Sequence, residues 1–305
     1  MLNPWRLALL RQLDALGTVR AVAAQAHQSP SSVSAQLAVL EREVGVQLFE
    51  RAGRRILLTP AGTTLARRAA EVLDHIASVE HEMTDLGSEP VGHVRLAAFA
   101  SAMPGIVVPA ARRLRDTHPL IELEIHDQEP HESLLSLRSG TADVIVTANL
   151  GEAPLHSDPT YVRASLGSDS IVLVTAGDRT DVGPTLPDLS SLHAESWSTE
   201  AAGTYIADLT VRLCGDSGID PRITARFSSH HALLAHVEAG LSVTLLPRLA
   251  VDDRYDVRVV ALESSPTRSI QAVARRSSLQ RTAVQVVVDE LRTTAGATAA
   301  ARARH

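Results

Sequence analysis

Two short helices that must cross at close range constrain this fold more than any other feature of the sequence. The first predicted helix, residues 4–16, ends at Gly17, and Thr18 can cap the second, residues 19–26. The inward-facing residues of the second helix are all small: Val22, Ala23 and Ala26. Small residues let the following helix approach closely, which is the packing of a helix-turn-helix.

The third predicted helix has an apolar side and an outer side that is almost uncharged. Ser29 can cap it and Pro30 can take its first position, where the missing N–H costs nothing. Its apolar stripe contains Val33, Leu37, Leu40 and Val44, and its opposite arc contains Ser31, Ala35, Ala38 and Arg42. A helix in a DNA major groove needs such short side chains, and Gln36 on the flank can pair with an adenine edge. An ordinary helix whose small residues pack on another helix is the alternative.

The stretch FERAGRRILLTPAG, residues 49–62, predicts a two-stranded hairpin beside this helix. A turn at Ala52-Gly53 lies between short apolar runs, and Arg51, Arg54 and Arg55 cluster on it. Arginines beside a recognition helix are well placed to hold the phosphate backbone. A cluster of arginines that is merely solvated is the other interpretation.

The charge distribution supports an anionic partner for this end of the chain. Nine arginines against four acids give residues 1–68 a charge of +5, whereas residues 69–90 carry six acids and no arginine. The whole chain of 305 residues has a net charge of −6. The sequence therefore places a small basic module before an acidic body.

These segments together resemble the winged helix-turn-helix of LysR-type transcriptional regulators. The resemblance rests on the run from Gly17 to Gly62, with the E-x-x-x-G-V-x-L-F-E-R segment (Glu41 to Arg51) and the L-T-x-A-G segment (Leu58 to Gly62). It implies double-stranded operator DNA as a partner, although Arg20, Pro30 and Ala35 depart from the family pattern near the base-reading positions. We expect DNA contacts from Arg20, Ser29, Ser31, Ser32, Ser34, Ala35, Gln36, Arg42, Arg51, Arg54 and Arg55.

A long helix from Pro60 to about Leu86 is predicted to follow the hairpin. Its heptad seam contains Leu65, Ala69, Val72, Ile76, Val79, Met83 and Leu86. Such a seam must be buried on a partner or on the chain's own body. The family resemblance implies a homodimer through this helix, and a homotetramer beyond it. The acidic residues of the helix are expected to face solvent: Glu71, Asp74, Glu80, Glu82 and Asp85.

The remaining two thirds alternates strand and helix patterns, which predicts a parallel sheet covered by helices. The segments RRLRDTHPLIELEI, LRSGTADVIV and AGLSVTLLPR resemble the periplasmic-binding-protein-like effector domain of the same family. The predicted fold is therefore multidomain: an all-α winged helix-turn-helix domain (1–60), a linker helix (61–88) and an α/β effector domain (91–305). Subdomain I takes about 91–165 and 266–294, subdomain II about 166–265, and the tail 295–305 is expected to be frayed.

Strand ends of the two subdomains are expected to meet at a cleft that binds a small-molecule effector. Ser101 and Ser198 lie near predicted helix starts, which favours a small carboxylate or another anion. Ordinary turn capping by these residues is the alternative. The predicted lining consists of Ser101, Ala102, Met103, Thr147, Asn149, Trp197, Ser198, Thr199, Phe227, Ser229, His230 and Pro247.

Other kinds of chemistry find little support in the sequence. Cys214 is the single cysteine, which fits a reducing, cytoplasmic compartment, and no run is apolar enough to span a membrane. The spacing of His230, His231 and His236 favours structural roles over a metal site. We therefore expect no catalytic residues, no metal and no cofactor. The competing hypothesis is a solute-binding α/β protein or enzyme with an accessory helical oligomerisation segment.

Overall fold

The computed structural model describes residues 2–52, 55–84, 89–149 and 158–302. The N-terminal domain contains helices α1 (Pro4–Leu16), α2 (Val19–Gln25) and α3 (Pro30–Val44), followed by strands β1 (Phe49–Ala52) and β2 (Arg55–Leu58). Thr18 Oγ1 accepts a hydrogen bond from the Ala21 N–H, and Ser29 Oγ accepts one from the Ser32 N–H. These are the predicted caps, so the helix-turn-helix is confirmed.

Two contacts explain why the hairpin follows α3 so tightly. Glu41 Oε1 accepts hydrogen bonds from the backbone N–H groups of Leu48 and Phe49, at 2.7 and 3.1 Å. A Cβ atom added at Gly62 would lie 2.2 Å from the Leu48 carbonyl oxygen, so only glycine fits there. Glu41, which begins the first family segment, and Gly62, which ends the second, are thus needed for the backbone geometry of this region.

The linker helix α4 (Pro60–Thr84) divides the heptad seam between two environments. Ala69 is buried in the core of the N-terminal domain and Leu65 packs against that core. Val72, Val79 and Met83 have large exposed fractions of 46%, 43% and 63%. Leu86 lies outside the described residues. The seam is therefore buried within the chain at its start, whereas further along Ile76 is half-buried and Val72, Val79 and Met83 are uncovered.

Subdomain I is built on strands β3 (Gly92–Ala98), β4 (Ile121–Asp127) and β5 (Val144–Asn149). Helices α5 (Val108–Thr117) and α9 (Thr282–Arg302) cover one sheet face with Leu114, Val284, Val287 and Leu291, among others. Helix α6 (Pro130–Ser139) covers the other face with Leu137. The tail expectation was wrong for residues 295–302, which continue α9, because Ala295 packs into this core.

Two long strands join the subdomains. β6 (Tyr161–Ala176) and β12 (Thr267–Arg275) run antiparallel to each other, and β12 also runs antiparallel to β5. The sheet is mixed, with the order β4-β3-β5-β12-β6-β11-β7, so the expectation of a parallel sheet was wrong. The expected subdomain boundary near residue 165 falls inside β6, because this strand serves both subdomains.

Subdomain II surrounds the second half of β6. The strands β7 (Thr185–Leu186), β8 (Ser196–Glu200), β9 (Arg222–Phe227), β10 (Thr244–Pro247) and β11 (Val257–Leu262) belong to it, with helices α7 (Tyr205–Asp216) and α8 (His230–Glu238). Trp197 of β8 is fully buried beside Leu209 and Cys214 of α7. Between β7 and β8 the chain forms a short 3-10 turn, Ser190–Leu192.

Candidate nucleic-acid interface and ligand cavity

The outer face of α3 is exposed and carries few charges. Ser31, Ala35, Ala38 and Arg42 are all exposed. The hydroxyls of Ser29 and Ser31 lie 2.9 Å apart, and Ser32 Oγ donates to Gln28 Oε1 at 3.2 Å. These bonds lie at an exposed surface, where a hydroxyl exchanges partners readily. The face is therefore a shallow polar surface at the N-terminal end of a helix, whose dipole attracts phosphate.

Gln36 has a partner that the sequence did not indicate. Arg6 Nε of α1 donates to Gln36 Oε1 at 3.0 Å, and Arg6 Nη1 forms a 2.6 Å ion pair with Glu43. Because a guanidinium only donates hydrogen bonds, it fixes the amide oxygen toward α1. The NH2 group and the second lone pair of the Gln36 oxygen stay available, so bidentate pairing with adenine depends on a side chain that Arg6 turns toward α1.

The arginines expected to hold phosphate lie only partly within the described structure. Arg51 and Arg55 belong to β1 and β2, but their side chains lie outside the described residues, as does Arg54. Arg20 is exposed on α2 and Ser34 is half-buried on α3. In the two strands, Arg51 pairs with Ile56 and Ala52 pairs with Arg55. The connection of the hairpin therefore runs from Ala52 to Arg55.

A cavity lies where subdomain I meets subdomain II. Its inner part has a volume of about 80 Å³ and opens to a wider cleft of about 790 Å³. Six of the predicted residues line one or both parts: Ser101, Met103, Phe227, Ser229, His230 and Pro247. The rule that ligands bind at strand ends therefore located the cavity from both subdomains.

The other predicted lining residues lie elsewhere. Ala102 and Trp197 are fully buried in hydrophobic cores because these positions face the helices. Ser198 Oγ accepts a hydrogen bond from Ser242 Oγ, and Thr147 and Thr199 are buried without being on the cavity wall. The side chain of Asn149 lies outside the described residues.

Sequence reasoning missed four polar residues of the inner wall: Glu129, Glu200, Tyr205 and Arg268. Glu129 follows β4 and precedes α6, so the strand-end rule applied to the second strand would have found it. Arg268 lies on β12, a crossover strand whose local pattern does not reveal that it approaches the cavity. Glu200 ends β8, a strand that the sequence pattern did not predict.

Arg268 is held in a closed set of contacts. Its Nη2 lies 2.7 Å from Asp169 Oδ2 and donates to Ser101 Oγ at 2.7 Å, and its guanidinium lies 4.8 Å from the centre of the Phe99 ring. The side chains of Arg268 and Asp169 are only 8% and 2% exposed. This buried pair ties β12 to β6 and to the turn after β3.

Carboxylates dominate the rest of the inner wall. Glu200 Oε1 lies 2.8 Å from His230 Nε2, and the Glu129 side chain caps α6 by accepting from the Glu132 N–H. Burial raises the pKa of Glu129, and repulsion by Glu200 and Asp127 raises it further. The two glutamates come from opposite subdomains and feel each other's charge across the cavity.

A second polar cluster joins the N-terminal domain to subdomain I. Asp74 of α4 accepts from Arg275 Nε of β12 at 2.8 Å and from Ser277 Oγ, and its Oδ1 lies 3.6 Å from Arg11 Nη1 of α1. Arg11 Nε donates to the Arg138 carbonyl at 2.9 Å. The expectation that Asp74 faces solvent was wrong, because the effector domain covers this side of the linker helix.

His236 and Cys214 have structural surroundings, whereas His230 lies on the cavity wall. His236 Nδ1 lies 2.9 Å from Ser242 Oγ, and His230 pairs with Glu200. Among the described residues, no cluster of three or more potential ligands is arranged to hold a metal ion. Burial raises the pKa of the Cys214 thiol to about 12. None of the helices within the described residues is both long and apolar enough to cross a membrane.

Comparison with known families settles what this architecture belongs to. Residues 5–63 match the family described as "Bacterial regulatory helix-turn-helix protein, lysR family", and residues 87–296 match "LysR substrate binding domain". The chain is a LysR-type transcriptional regulator. Members of the LysR family bind operator DNA and small-molecule effectors, and they are regulators of transcription and not enzymes. The resemblance seen in the sequence is confirmed, and the solute-binding or enzymatic alternative is not favoured.

The LysR-type relatives match over most of the chain. The "DNA-binding transcriptional dual regulator OxyR" of Escherichia coli strain K12 is 26% identical over 277 residues, which is 90% of this chain and 89% of the relative. A protein of Streptomyces viridosporus, described as a probable hydrogen peroxide-inducible genes activator, is 30% identical over 79% of this chain and 78% of its own. The structure of a full-length OxyR variant from Pseudomonas aeruginosa has the same fold. Its TM-score is 0.65 at 21% identity, over 96% of this chain and 95% of that one.

Proposed function

We propose that this LysR-type regulator binds a two-fold operator as a homodimer, and that an effector in the cavity between the subdomains alters this binding. The observation that carries the proposal is the exposed, short-chained face of α3 beside a hairpin with three arginines. Ser31, Ser32, Ser34 and Ala35 would approach base edges, and Arg51, Arg54 and Arg55 would hold phosphates. Contacts from Arg20, Ser29, Gln36 and Arg42 stay predictions at the edge of this surface.

A salt titration of DNA binding tests the phosphate contacts. In the variant with Arg54→Ala and Arg55→Ala, the slope of log affinity against log salt should fall by about 0.9 for each phosphate that is no longer neutralised. Arg292→Ala is the matched control, since Arg292 lies on α9, far along the chain from the hairpin, in an exposed ion pair with Asp289. The proposal is wrong if the purified protein does not retain its own upstream DNA at low salt, or if both variants have the wild-type slope.

The uncovered part of the heptad seam supports the homodimer. Val72, Val79 and Met83 are exposed along one side of α4, and this side lies beyond the part of the seam that the N-terminal domain buries. A second copy of the same helix would bury these side chains. Val79→Glu should therefore shift sedimentation toward the monomer, whereas Val46→Glu, at an equally exposed valine outside the linker, should not. Assembly of two dimers into a tetramer stays a prediction from the family.

Effector binding accounts better for regulation here than oxidation of the chain's own thiol. Several relatives are named for hydrogen peroxide, and peroxide reacts with thiolates. Cys214, the single cysteine, is fully buried on α7, and its raised pKa keeps it protonated. We therefore propose that the cavity lined by Ser101, Phe227 and His230 receives the signal.

A further inference from the structure

The charges on the cavity wall point to the chemical class of the effector. We propose that the effector is a small organic cation, with an ammonium or guanidinium group that binds between Glu129 and Glu200. This inference rests on the proposed function, since the site is the same cavity between the subdomains, and the carboxylates determine only which ligands that cavity selects. The sequence by itself favours an anion, from the helix starts near Ser101 and Ser198.

The inner wall offers no uncompensated positive charge among its described residues. Arg268 lies on this wall, and its side chain already pairs with Asp169, donates to Ser101 and covers the Phe99 ring. An anion would meet a guanidinium whose charge Asp169 already neutralises, so this buried pair offers it little net attraction. The arrangement of Arg268 therefore disfavours a carboxylate at this position.

Negative charge, by contrast, is only partly compensated. His230 contacts Glu200, whereas Glu129 accepts its capping hydrogen bond from a neutral backbone N–H. In the wider cleft Arg254 pairs with Asp252 at 2.6 Å. The acidic residues that line the cavity or the cleft are Asp127, Glu129, Glu200, Asp252 and Asp253. A cation entering the cleft thus meets a wall on which these acidic side chains outnumber the arginines, Arg254 and Arg268.

The two glutamates also provide a physical link between binding and closure. Glu129 belongs to subdomain I and Glu200 to subdomain II, and their mutual repulsion opposes approach of the subdomains. A cation between them replaces that repulsion with two charge-assisted hydrogen bonds. It would therefore bind the closed arrangement more tightly than the open one, which is the requirement for a ligand to shift the equilibrium.

The remaining wall sets the size and character of the ligand. The inner cavity of about 80 Å³ holds a few heavy atoms, such as a guanidinium or an ammonium with adjoining methylenes. Pro130, Ile206 and Pro247 provide apolar surface, and Tyr205 adds an aromatic ring that attracts cations. The ligand class is a compact amine or guanidine with a short apolar body that extends into the wider cleft.

The test uses the full-length protein with agmatine and putrescine as cationic probes, and with succinate and butyrate as anionic probes. At about 10 mM, either amine should raise the melting temperature by about 2 °C or more, while the anions should not. Calorimetric titration should then show about tenfold weaker binding to Glu129→Gln and to Glu200→Gln. Glutamine keeps the side-chain carbonyl that caps α6 or accepts from His230, so both variants should fold.

Three further measurements decide between the interpretations. Glu263→Gln removes an exposed carboxylate outside the cavity and should leave amine affinity unchanged. The proposal is overturned if neither amine stabilises the protein, if succinate or butyrate does so instead, or if Glu263→Gln weakens binding as much as the cavity variants. Stabilisation by magnesium chloride equal to that by the amines would also overturn it in favour of a metal ion. Retention of upstream DNA without any probe reports separately on the proposed function.

Discussion

Cys214 shows how the surroundings of one residue remove a reaction that its type suggests. The thiol is fully buried between α7 and the β-sheet of subdomain II, and burial raises its pKa to about 12. The thiolate fraction at neutral pH is then about a thousandfold lower than for a free cysteine, whose pKa is about 8.5. We expect native protein to react with the thiol reagent DTNB about a thousandfold more slowly than protein unfolded in guanidinium chloride. Treatment with hydrogen peroxide should leave DNA affinity unchanged, and rapid modification of the native thiol would contradict this prediction.

Gly140 is required by a contact between domains as well as by its own turn. It caps α6 at φ +84°, and a Cβ atom there would lie 2.5 Å from the Arg11 Cζ and 2.6 Å from its two Nη atoms. Gly17 caps α1 at φ +72° with no heavy atom within 4 Å of its Cβ position. Both substitutions to alanine carry the left-handed backbone cost. Only Gly140→Ala adds the clash, which the Arg11 guanidinium can relieve only by giving up its hydrogen bonds to the Arg138 and Leu137 carbonyls. We expect Gly140→Ala to lose about 1–3 kcal/mol more than Gly17→Ala in urea unfolding. When Arg11→Ala is added to both glycine variants, most of the difference between their stability losses should disappear. Equal losses in the two single glycine variants would contradict the clash.

At the scale of elements, Asp74 holds the linker helix to the effector domain through its charged form. Burial alone would raise the pKa of Asp74, but attraction and hydrogen bonding by Arg275, with help from Arg11 and Ser277, lower it below its ordinary value of 3.8. The folded protein therefore binds this proton at a lower pH than the unfolded chain does. The stabilisation is fully present above about pH 5 and is lost as the pH falls through the lowered pKa.

The prediction for this element is a pH-dependent difference between wild type and Asp74→Asn. The unfolding free energies should differ most at pH 6–7 and converge as the pH falls below about 4. Asp181→Asn is the control, because Asp181 also pairs with an arginine but lies exposed, where solvent screens the pair. Urea unfolding at three pH values measures both differences. A gap for Asp74→Asn that stays constant down to pH 3 would show that its cause is not the carboxylate charge.

Elements with local signals were predictable from the sequence, and elements defined by distant partners were not. The glycine stop after α1 and the serine cap before α3 were predicted to the residue, because these signals act within one helical turn. The direction of β12 depends on pairing with β5 and β6, about a hundred residues or more earlier, so the alternating pattern indicated its position without its orientation. For the same reason the position of the cavity was predictable from strand ends, whereas its charge, which Glu129, Glu200 and Arg268 set, was not predictable.

For the whole molecule, β12 provides a direct connection between the ligand cavity and the DNA-binding half. Arg268 near its start contributes to the cavity wall, and Arg275 at its end binds Asp74 of the linker helix. Arg275 also donates to the Leu137 and Ala142 carbonyls, so the strand, α6 and α4 meet at one guanidinium. A shift of β12 on closure of the cavity would therefore act on the middle of the linker helix, at Asp74, without any intervening loop.

This connection predicts coupling between Asp74 and Arg275 that can be measured in DNA binding. Their side chains are 8% and 3% exposed, so removing one leaves the other buried without its main charge partner. Asp74→Ala and Arg275→Ala should each destabilise the protein, and the double variant should lose about 1–3 kcal/mol less than the sum of the two single losses.

If the pair transmits the state of the cavity, the double variant should bind DNA equally well with and without the amine that stabilises wild type, since coupling between two sites is reciprocal. The pair of Arg113 and Glu290 on α5 and α9, whose arginine is 54% exposed, serves as the control cycle and should leave the response to the amine intact. Additive losses for Asp74 and Arg275, or a full response in their double variant, would show that the signal takes another route to the linker helix.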